Sequence, residues 1–472
     1  MMKLTPYPEY KNADVSWLGS IPAHWPEKRA KYYFKEIDDR SQTGDEEMLS
    51  VSHITGVTPR SQKNVTMFKA ESNVGQKRCQ PGDLIINTMW AWMSALGVSN
   101  HDGIVSPAYG VYRPRSNQDY DYYYLDSLLR IEGYRSEYIC RSTGIRSSRL
   151  RLYPDKFLSM PVVCPPQEEQ QAITRFLKAQ DRLFRKFIRN KRRLIELLKE
   201  QKQSVINQAV TRGLDPKVKF MPSGVEWIGD IPEHWEATKL KRVVSFNPSK
   251  SETRANPADE EKVVFLPMEN ISVNGDIDCT EKRTLSEVWN GFTYFRRGDV
   301  VVAKITPCFE NGKGAYLDRL ESDFGFGTTE LIVLRPTKAI DGAFLRFLTS
   351  TKQFLLLGEQ YMTGAAGQQR IPSDFVKNYP IGLPPIDEQL EILERIQEKS
   401  AEIDQAIIRA QREIELMREY RTRLISDVVT GQVDVRGIEV PEIAGEEPLA
   451  LDEDTDESDD VIDDALELEV EE

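Results

Sequence analysis

The chain has 472 residues, 40% hydrophobic and 29% charged, which is too long for one core and too apolar for wholesale disorder. Its five cysteines (Cys79, Cys140, Cys164, Cys279, Cys308) form no C-x-x-C pair and, with only four histidines, no metal-ligand spacing, which excludes a disulfide framework and a zinc site. The net charge of −13 belongs to one place: residues 439–472 hold 17 Asp and Glu and no Lys or Arg, so residues 1–438 carry 62 basic against 58 acidic groups and stay eligible for nucleic acid.

The chain starts without the apolar run of a signal peptide, and no later stretch approaches ~18 uninterrupted apolar residues, so a soluble cytoplasmic protein is expected. The first distinctive element is Trp17-Leu18-Gly19-Ser20-Ile21-Pro22-Ala23-His24-Trp25, which returns 210 residues later as Trp227-Ile228-Gly229-Asp230-Ile231-Pro232-Glu233-His234-Trp235. Next, Pro81-Gly82-Asp83-Leu84-Ile85-Ile86 returns as Arg297-Gly298-Asp299-Val300-Val301-Val302, and Val111-Tyr112-Arg113-Pro114 as Val333-Leu334-Arg335-Pro336. Ser142-Thr143-Gly144 matches Met362-Thr363-Gly364, and Pro165-Pro166-Gln167-Glu168-Glu169-Gln170 matches Pro384-Pro385-Ile386-Asp387-Glu388-Gln389. From there an offset of 219 holds without a gap to Thr211 and Thr430. Ordered matches of this kind are a duplication.

Each half therefore has one layout. About 150 residues of short β-like runs (Asp83–Asn87; Asp299–Ile305 and Leu331–Arg335) separated by Gly, Pro and Asn predict a small mixed α/β domain. A Pro-Pro stop then opens a long helix free of Pro and Gly, over 167–212 and again over 386–430. In the first helix Ile173, Leu177, Gln180, Phe184, Phe187, Lys191, Leu194, Leu198, Gln201 and Val205 follow a three-four alternation. In the second, Leu393, Ile396, Ser400, Ile403, Ile407, Ala410, Ile414, Met417, Arg421, Leu424 and Val428 do the same, so both carry a coiled-coil seam. The first helix holds 12 basic and 5 acidic groups and the second 7 basic and 11 acidic, which favours mutual pairing. Two copies of one domain held apart by a rod of roughly 65–70 Å suit a regular polymer, above all DNA. The helices alone would also fit an oligomerisation stalk, a reading that their position between two copies of one domain disfavours.

Two segments per half have groove-reading chemistry. In the first, Asn87 and Trp90 follow a strand, and Arg141, Thr143, Gly144, Arg146, Arg149 and Arg151 share one glycine-containing stretch. In the second, Lys304, Thr306, Glu310, Asn311 and Lys313 take the strand-end position, and Thr363, Gly364, Gln368, Gln369 and Arg370 the glycine loop. Arg pairs guanine and Gln adenine in the major groove, while Ser, Thr and backbone amides hold phosphate. Surface ion pairing of the arginines and core packing of Trp90 and Trp92 are the competing fates. His24 and His234, each beside Trp, read as packing or capping residues. Phe324-Gly325-Phe326-Gly327 reads as a turn rather than a methyl-donor glycine motif, and Asn311-Gly312-Lys313-Gly314 lacks phosphate-loop spacing.

The duplicated Trp-Leu/Ile-Gly-x-Ile-Pro-x-His-Trp opening, the Gly-Asp strand, the Thr-Gly loop and the Pro-Pro-x-x-Glu-Gln helix start resemble the specificity subunit of type I restriction-modification systems, over residues 11 to about 436. The second half is especially close around residues 303–313. The resemblance implies two target recognition domains joined by two long antiparallel helices in a pseudo-two-fold circular arrangement, with the ends of the duplicated region close together. Each domain would read one half of a bipartite asymmetric double-stranded DNA site. The helices would set the unread gap and dock two modification subunits, which methylate adenine, and restriction subunits, which translocate and cleave. S-adenosylmethionine, ATP and Mg would sit on those partners, with no cofactor, metal site or catalytic residue in this chain. In agreement, no Asn-Pro-Pro-aromatic loop is present: Asn247-Pro248 is followed by Ser249.

The expected organisation is a first recognition domain at 1–166 (its core from 11), a spacer helix at 167–212, a second domain at 213–385, a second helix and return segment at 386–438, and a disordered acidic tail at 439–472. Two rivals stay open: a self-contained DNA methyltransferase or nuclease, and a coiled-coil interaction scaffold that reads no DNA.

Overall fold

The computed structural model describes residues 5–62, 72–116, 119–144, 150–225, 228–253, 255, 260–365 and 367–440. Trp227, Arg146, Arg149 and almost all of the acidic tail lie outside the described residues. By internal contacts the chain divides into a first unit, Met1–Asn190 with Glu413–Glu472, and a second, Lys191–Arg412.

The first unit is built on an antiparallel sheet of β1 (Phe34–Glu36), β2 (Leu84–Ile86), β3 (Leu96–Val98) and β4 (Gly110–Pro114), in the order β1-β4-β2-β3. The continuous apolar run of β2 is explained by cover on both faces: Leu84 and Ile86 join one core cluster, Ile85 and Val111 another. The Gly-Asp motif has a mechanical role. Gly82 adopts φ 91°, which a side chain disfavours, and turns the chain into β2. Asp83, fully buried, accepts the Gln80 N–H at 3.0 Å and two parallel bonds from Arg113 at 2.8 Å, tying β2 to β4.

The His-Trp and Glu-Gln motifs meet. Trp25 Nε1 donates to Glu169 at 3.0 Å, and His24 Nε2 lies 2.6 Å from the other carboxylate oxygen. Gln170 accepts the Asp121 N–H at 2.7 Å and donates to the Pro165 carbonyl at 2.8 Å. Asp121 in turn caps the helix Tyr122–Leu129. The long helix is thus welded at its first turn to the domain before it. Tyr10 donates to the Gly431 carbonyl at 3.0 Å, and Gln432 to that of Ser20 at 2.6 Å, so the segments next to Lys11 and Arg436 do lie together, as the repeat predicts.

The second unit repeats this construction with β5 (Val244–Phe246), β6 (Val300–Ala303), β7 (Gly314–Tyr316) and β8 (Leu331–Pro336), in the order β5-β8-β6-β7. Arg335 grips buried Asp299 at 2.6 and 2.8 Å; Trp235 and His234 sit on Glu388 at 3.1 and 2.8 Å; Gln389 accepts the Asp341 N–H at 2.8 Å. A further mixed sheet packs strands Lys282–Thr284, Lys262–Leu266, Phe324–Gly327 and Thr293–Arg296 in that order. This corrects one expectation: Phe324–Gly327 is an interior strand, not a turn. A Cβ on Gly325 or Gly327 would come within 2.7 Å of the Val264 or Leu266 carbonyl, so glycine lets the parallel neighbour approach.

The long helices are α1 (Gln167–Arg212) and α2 (Ile386–Val429), each contributing one part to each unit. In the first unit they run antiparallel: Asp181 pairs with Arg421 at 2.6 Å, Phe184 packs edge-on against Tyr420, and Phe187 lies by Met417. In the second, Lys202 reaches Asp404 at 2.8 Å. The seam of α2 is as spaced, with Ile396, Ile403, Ala410, Ile414, Leu424 and Val428 buried. That of α1 holds only through Phe184; Leu194 and Gln201 are exposed and Ile188, Ile206, Ala209 and Val210 are buried instead. The sidechains of α1 that pack on a domain core shift the buried stripe off the strict heptad.

Candidate nucleic-acid interface

In each unit the strand-end segment and the glycine loop, far apart in sequence, are joined by backbone hydrogen bonds. In the first, Thr143 and Arg151 exchange two N–H···O bonds of 3.0 Å, closing the loop between them, and the next residue, Leu152, donates to the Thr88 carbonyl at 2.9 Å. In the second, Thr363 and Arg370 exchange bonds of 3.0 and 2.9 Å, and Ile371 donates to the Lys304 carbonyl at 2.9 Å. Thr88 and Lys304 are the same position of the repeat, as are Leu152 and Ile371. The construction is therefore duplicated although the side chains that it presents are not.

The second unit adds a tighter joint. Thr306 donates its N–H to the Gln369 carbonyl at 3.0 Å and accepts the Gln369 N–H on Oγ1 at 3.1 Å. Gly364 makes the turn at φ 130°, where a Cβ would meet the Gln368 carbonyl at 2.9 Å. The structure so brings together Lys304, Thr306, Thr363, Gly364, Gln368, Gln369 and Arg370. In the first unit it brings together Thr143, Gly144 and Arg151, with Arg151 against the Met89 sulfur at 4.0 Å. Gln368, Thr363, Gly364, Thr143, Gly144 and Arg151 are exposed; Asn311 is exposed on the turn after Pro307.

Other candidates serve the fold. Asn87 is fully buried, donating to the Tyr109 hydroxyl at 3.1 Å and accepting the Met89 N–H at 3.2 Å, and Trp90 is 5% exposed. Both leave the contact surface because β2 ends inside the core. Arg141 is engaged by Glu137 and by Ser159 Oγ at 3.3 Å, and Lys313 donates to the Met268 carbonyl at 3.1 Å. Arg370 lays Nε and one terminal nitrogen on Glu330, each at 2.9 Å, so the fork expected for guanine is already occupied. Arg146 and Arg149 lie outside the described residues.

Glu330 was not among the sequence candidates. It precedes β8, where the first half has Ala108, and that difference between the two halves was its only signal. The Arg370 hydrogen bonds, helped by the Lys304 charge, hold its carboxyl below the usual range, so it is ionised at neutral pH.

Among the described residues, no group of three or more His, Cys, Asp or Glu converges to hold a metal ion, and no helix is long and apolar enough to cross a membrane. His24 and His234 are each bound to a carboxylate beside a buried or part-buried indole, a packing arrangement.

Residues 232–415 match the family model of the type I restriction modification DNA specificity domain. The chain is 38% identical over 202 residues to the type I restriction enzyme EcoAI specificity subunit of Escherichia coli, covering 42% of this chain and 34% of that protein. It is 35% identical to the EcoEI specificity subunit of the same organism over 42% of this chain and 33% of that one, so it spans about a third of the length of these two relatives. Over nearly its whole length it is similar, at 22% identity, to the putative MjaX specificity subunit of Methanocaldococcus jannaschii, covering 92% of this chain and 100% of that protein. Among solved structures, a chain of a type I R-M system studied for complex assembly and conformational transition superposes with a TM-score of 0.60 at 14% identity, covering 87% of this chain and 98% of that one. The HsdS subunit from Thermoanaerobacter tengcongensis superposes with a TM-score of 0.50 at 16% identity over the same shares. These likenesses show the mixed α/β fold with long helices.

Proposed function

We propose that this chain, whose residues 232–415 belong to the type I restriction modification DNA specificity domain family, is the DNA sequence-recognition subunit of a type I restriction-modification complex. The observation that carries the reading is the duplicated joint: Leu152 on Thr88 and Ile371 on Lys304 anchor two segments by the same backbone bonds, with different side chains beside them. Like anchors with unlike polar residues suit two different half-sites of one asymmetric double-stranded DNA target.

In this reading the chain performs no chemistry. Exposed Gln368 and Arg151, with Lys304, approach base edges and phosphates, while α1 and α2 set the unread gap. Two modification subunits dock on the helices and methylate adenine at N6, using S-adenosylmethionine; restriction subunits with ATP and Mg add cleavage. The complex works in the cytoplasm. The test is co-expression with a type I modification subunit and mapping of N6-methyladenine in the host DNA at single-base resolution. Two short defined halves around a fixed gap are expected. A single unsplit motif would overturn the two-reader arrangement, and no methylation from a stable complex would favour a scaffold.

A further inference from the structure

The second unit holds an anion where a DNA-reading surface ought to avoid one. Glu330 stands beside Lys304, whose N–H donates to the Glu330 carbonyl at 2.9 Å, and Arg370 fixes its carboxylate from one side with two bonds of 2.9 Å. A carboxylate cannot face phosphate, and Arg370, with its fork occupied and its remaining terminal nitrogen on the Gln368 carbonyl at 3.3 Å, is not presented as a guanine reader. Each oxygen of Glu330 receives one bond from Arg370, and each has a second acceptor position. The side chain is 22% exposed, enough for one incoming donor and too little for a freely solvated group. The first unit has no counterpart, since Ala108 occupies the position and Thr88 Oγ1 donates to its carbonyl at 2.8 Å.

We infer that Glu330, held by Arg370, is a specificity-determining residue of the second unit that accepts a hydrogen bond from the exocyclic amino group of one base, cytosine N4 or adenine N6, in the major groove. Arg370 is its positioning residue and not itself a reader. The inference rests on the function proposed above, and changes Arg370, a reader by the sequence alone, into the residue that positions one.

The experiment is the same methylation map, made with the full chain in its modification complex as wild type, Glu330→Gln and Arg370→Lys. Glutamine keeps one acceptor and adds a donor, so Glu330→Gln is expected to lower the preference at one base pair of one half-site about tenfold, leaving the other half-site sharp. Arg370→Lys keeps that base pair's identity and lowers overall occupancy. The intact half-site shows in each case that the complex is folded. If the wild type gives a split motif and Glu330→Gln leaves it unchanged, or if Arg370→Lys alone relaxes that base pair, the inference falls and the proposed function stands. A wild-type map with one unsplit motif overturns the inference and the two-reader arrangement, and one with no methylated motif overturns the proposed function as well.

Discussion

Asp434 donates its backbone N–H to the carbonyl of Thr5 at 2.8 Å, and the two residues form an antiparallel bridge. The repeat offsets of 210 and 219 carry both of them onto Asp215. What one continuous segment does in the second unit is thus done in the first by two segments far apart in sequence. Burial pushes the Asp434 carboxyl up, but the hydrogen bonds and charge of Arg436 outweigh it and hold it below the ordinary 3.8. A carboxyl depressed by folding stabilises the fold above its unfolded pKa and ceases to as pH falls through the folded one. Asp434→Asn should therefore lower the first unit's urea midpoint at pH 6, and the difference from wild type should shrink below about pH 4. A difference that is constant with pH would rule the ion pair out as its cause.

The Asp83–Arg113 and Asp299–Arg335 pairs are the points where a single substitution should do most damage. Both carboxylates are fully buried, and only Arg reaches both of their oxygens. Replacing either Arg with Met leaves a buried anion without its partner and should cost about 3–5 kcal/mol. Arg335 is the more enclosed of the two, at 11% against 29% exposure, so Arg335→Met should cost more. Chemical denaturation of each variant checks the order.

Glu169 accepts from Trp25 and Tyr7 at 3.0 Å, contacts His24 at 2.6 Å and draws Arg436 to 3.6 Å, whereas Glu388 holds Trp235 and His234. Both indoles are buried, but Glu169 is the more enclosed carboxylate, at 9% against 23% exposure, and also serves Tyr7, so Glu169→Ala should cost about 2–3 kcal/mol against about 1–2 for Glu388→Ala. Glu169→Gln retains an acceptor for the Trp25 indole and should recover much of the loss. Thermal unfolding followed by tryptophan fluorescence separates the three.

Much of this was legible because the repeat marks its own joints. The twice-occurring His-Trp and Pro-Pro-x-x-Glu-Gln pairs mark contacts such as Trp25–Glu169 and Trp235–Glu388, and the apolar alternation of α2 locates its buried face. Side-chain destinations were less readable. Asn87 and Ala303 share one repeat position, and nothing local tells that β2 ends inside its core. Arg370 has groove-reading chemistry until Glu330, 40 residues away, is seen to occupy it. Partners far apart in sequence leave no spacing pattern, which is why Glu330 escaped.

Arg346 carries a positioning prediction. Burial pushes its guanidinium pKa down to about 10, still charged at neutral pH, and one terminal nitrogen donates to the carbonyls of Gly312 and Val273 at 3.0 and 3.1 Å. In the first unit Arg130 donates to Leu96, at the start of β3, at 3.3 Å and to Ile54 at 3.0 Å. Neither arginine is at the other's sequence position, yet each joins a carbonyl between the strand-end segment and the start of the next strand to a carbonyl of a separate turn. Arg346→Met should cost about 1–3 kcal/mol and raise hydrogen exchange in residues 304–313. Arg346→Lys should keep one bond and lie between.

Lys304 and Gln368 separate holding from reading. A lysine beside the joint gives a point charge suited to phosphate, which carries no sequence, whereas exposed Gln368 offers an amide suited to a base edge. In gel shifts of the modification complex, Lys304→Ala should weaken binding to matched and mismatched duplexes by the same factor and reduce the salt slope by about 1. Gln368→Ala should leave the slope unchanged and narrow the gap between matched and mismatched duplexes, by about 1–3 kcal/mol if its amide contact is bidentate. The reverse pattern would make Gln368 a backbone contact and move base reading in this unit toward Glu330 and Gln369.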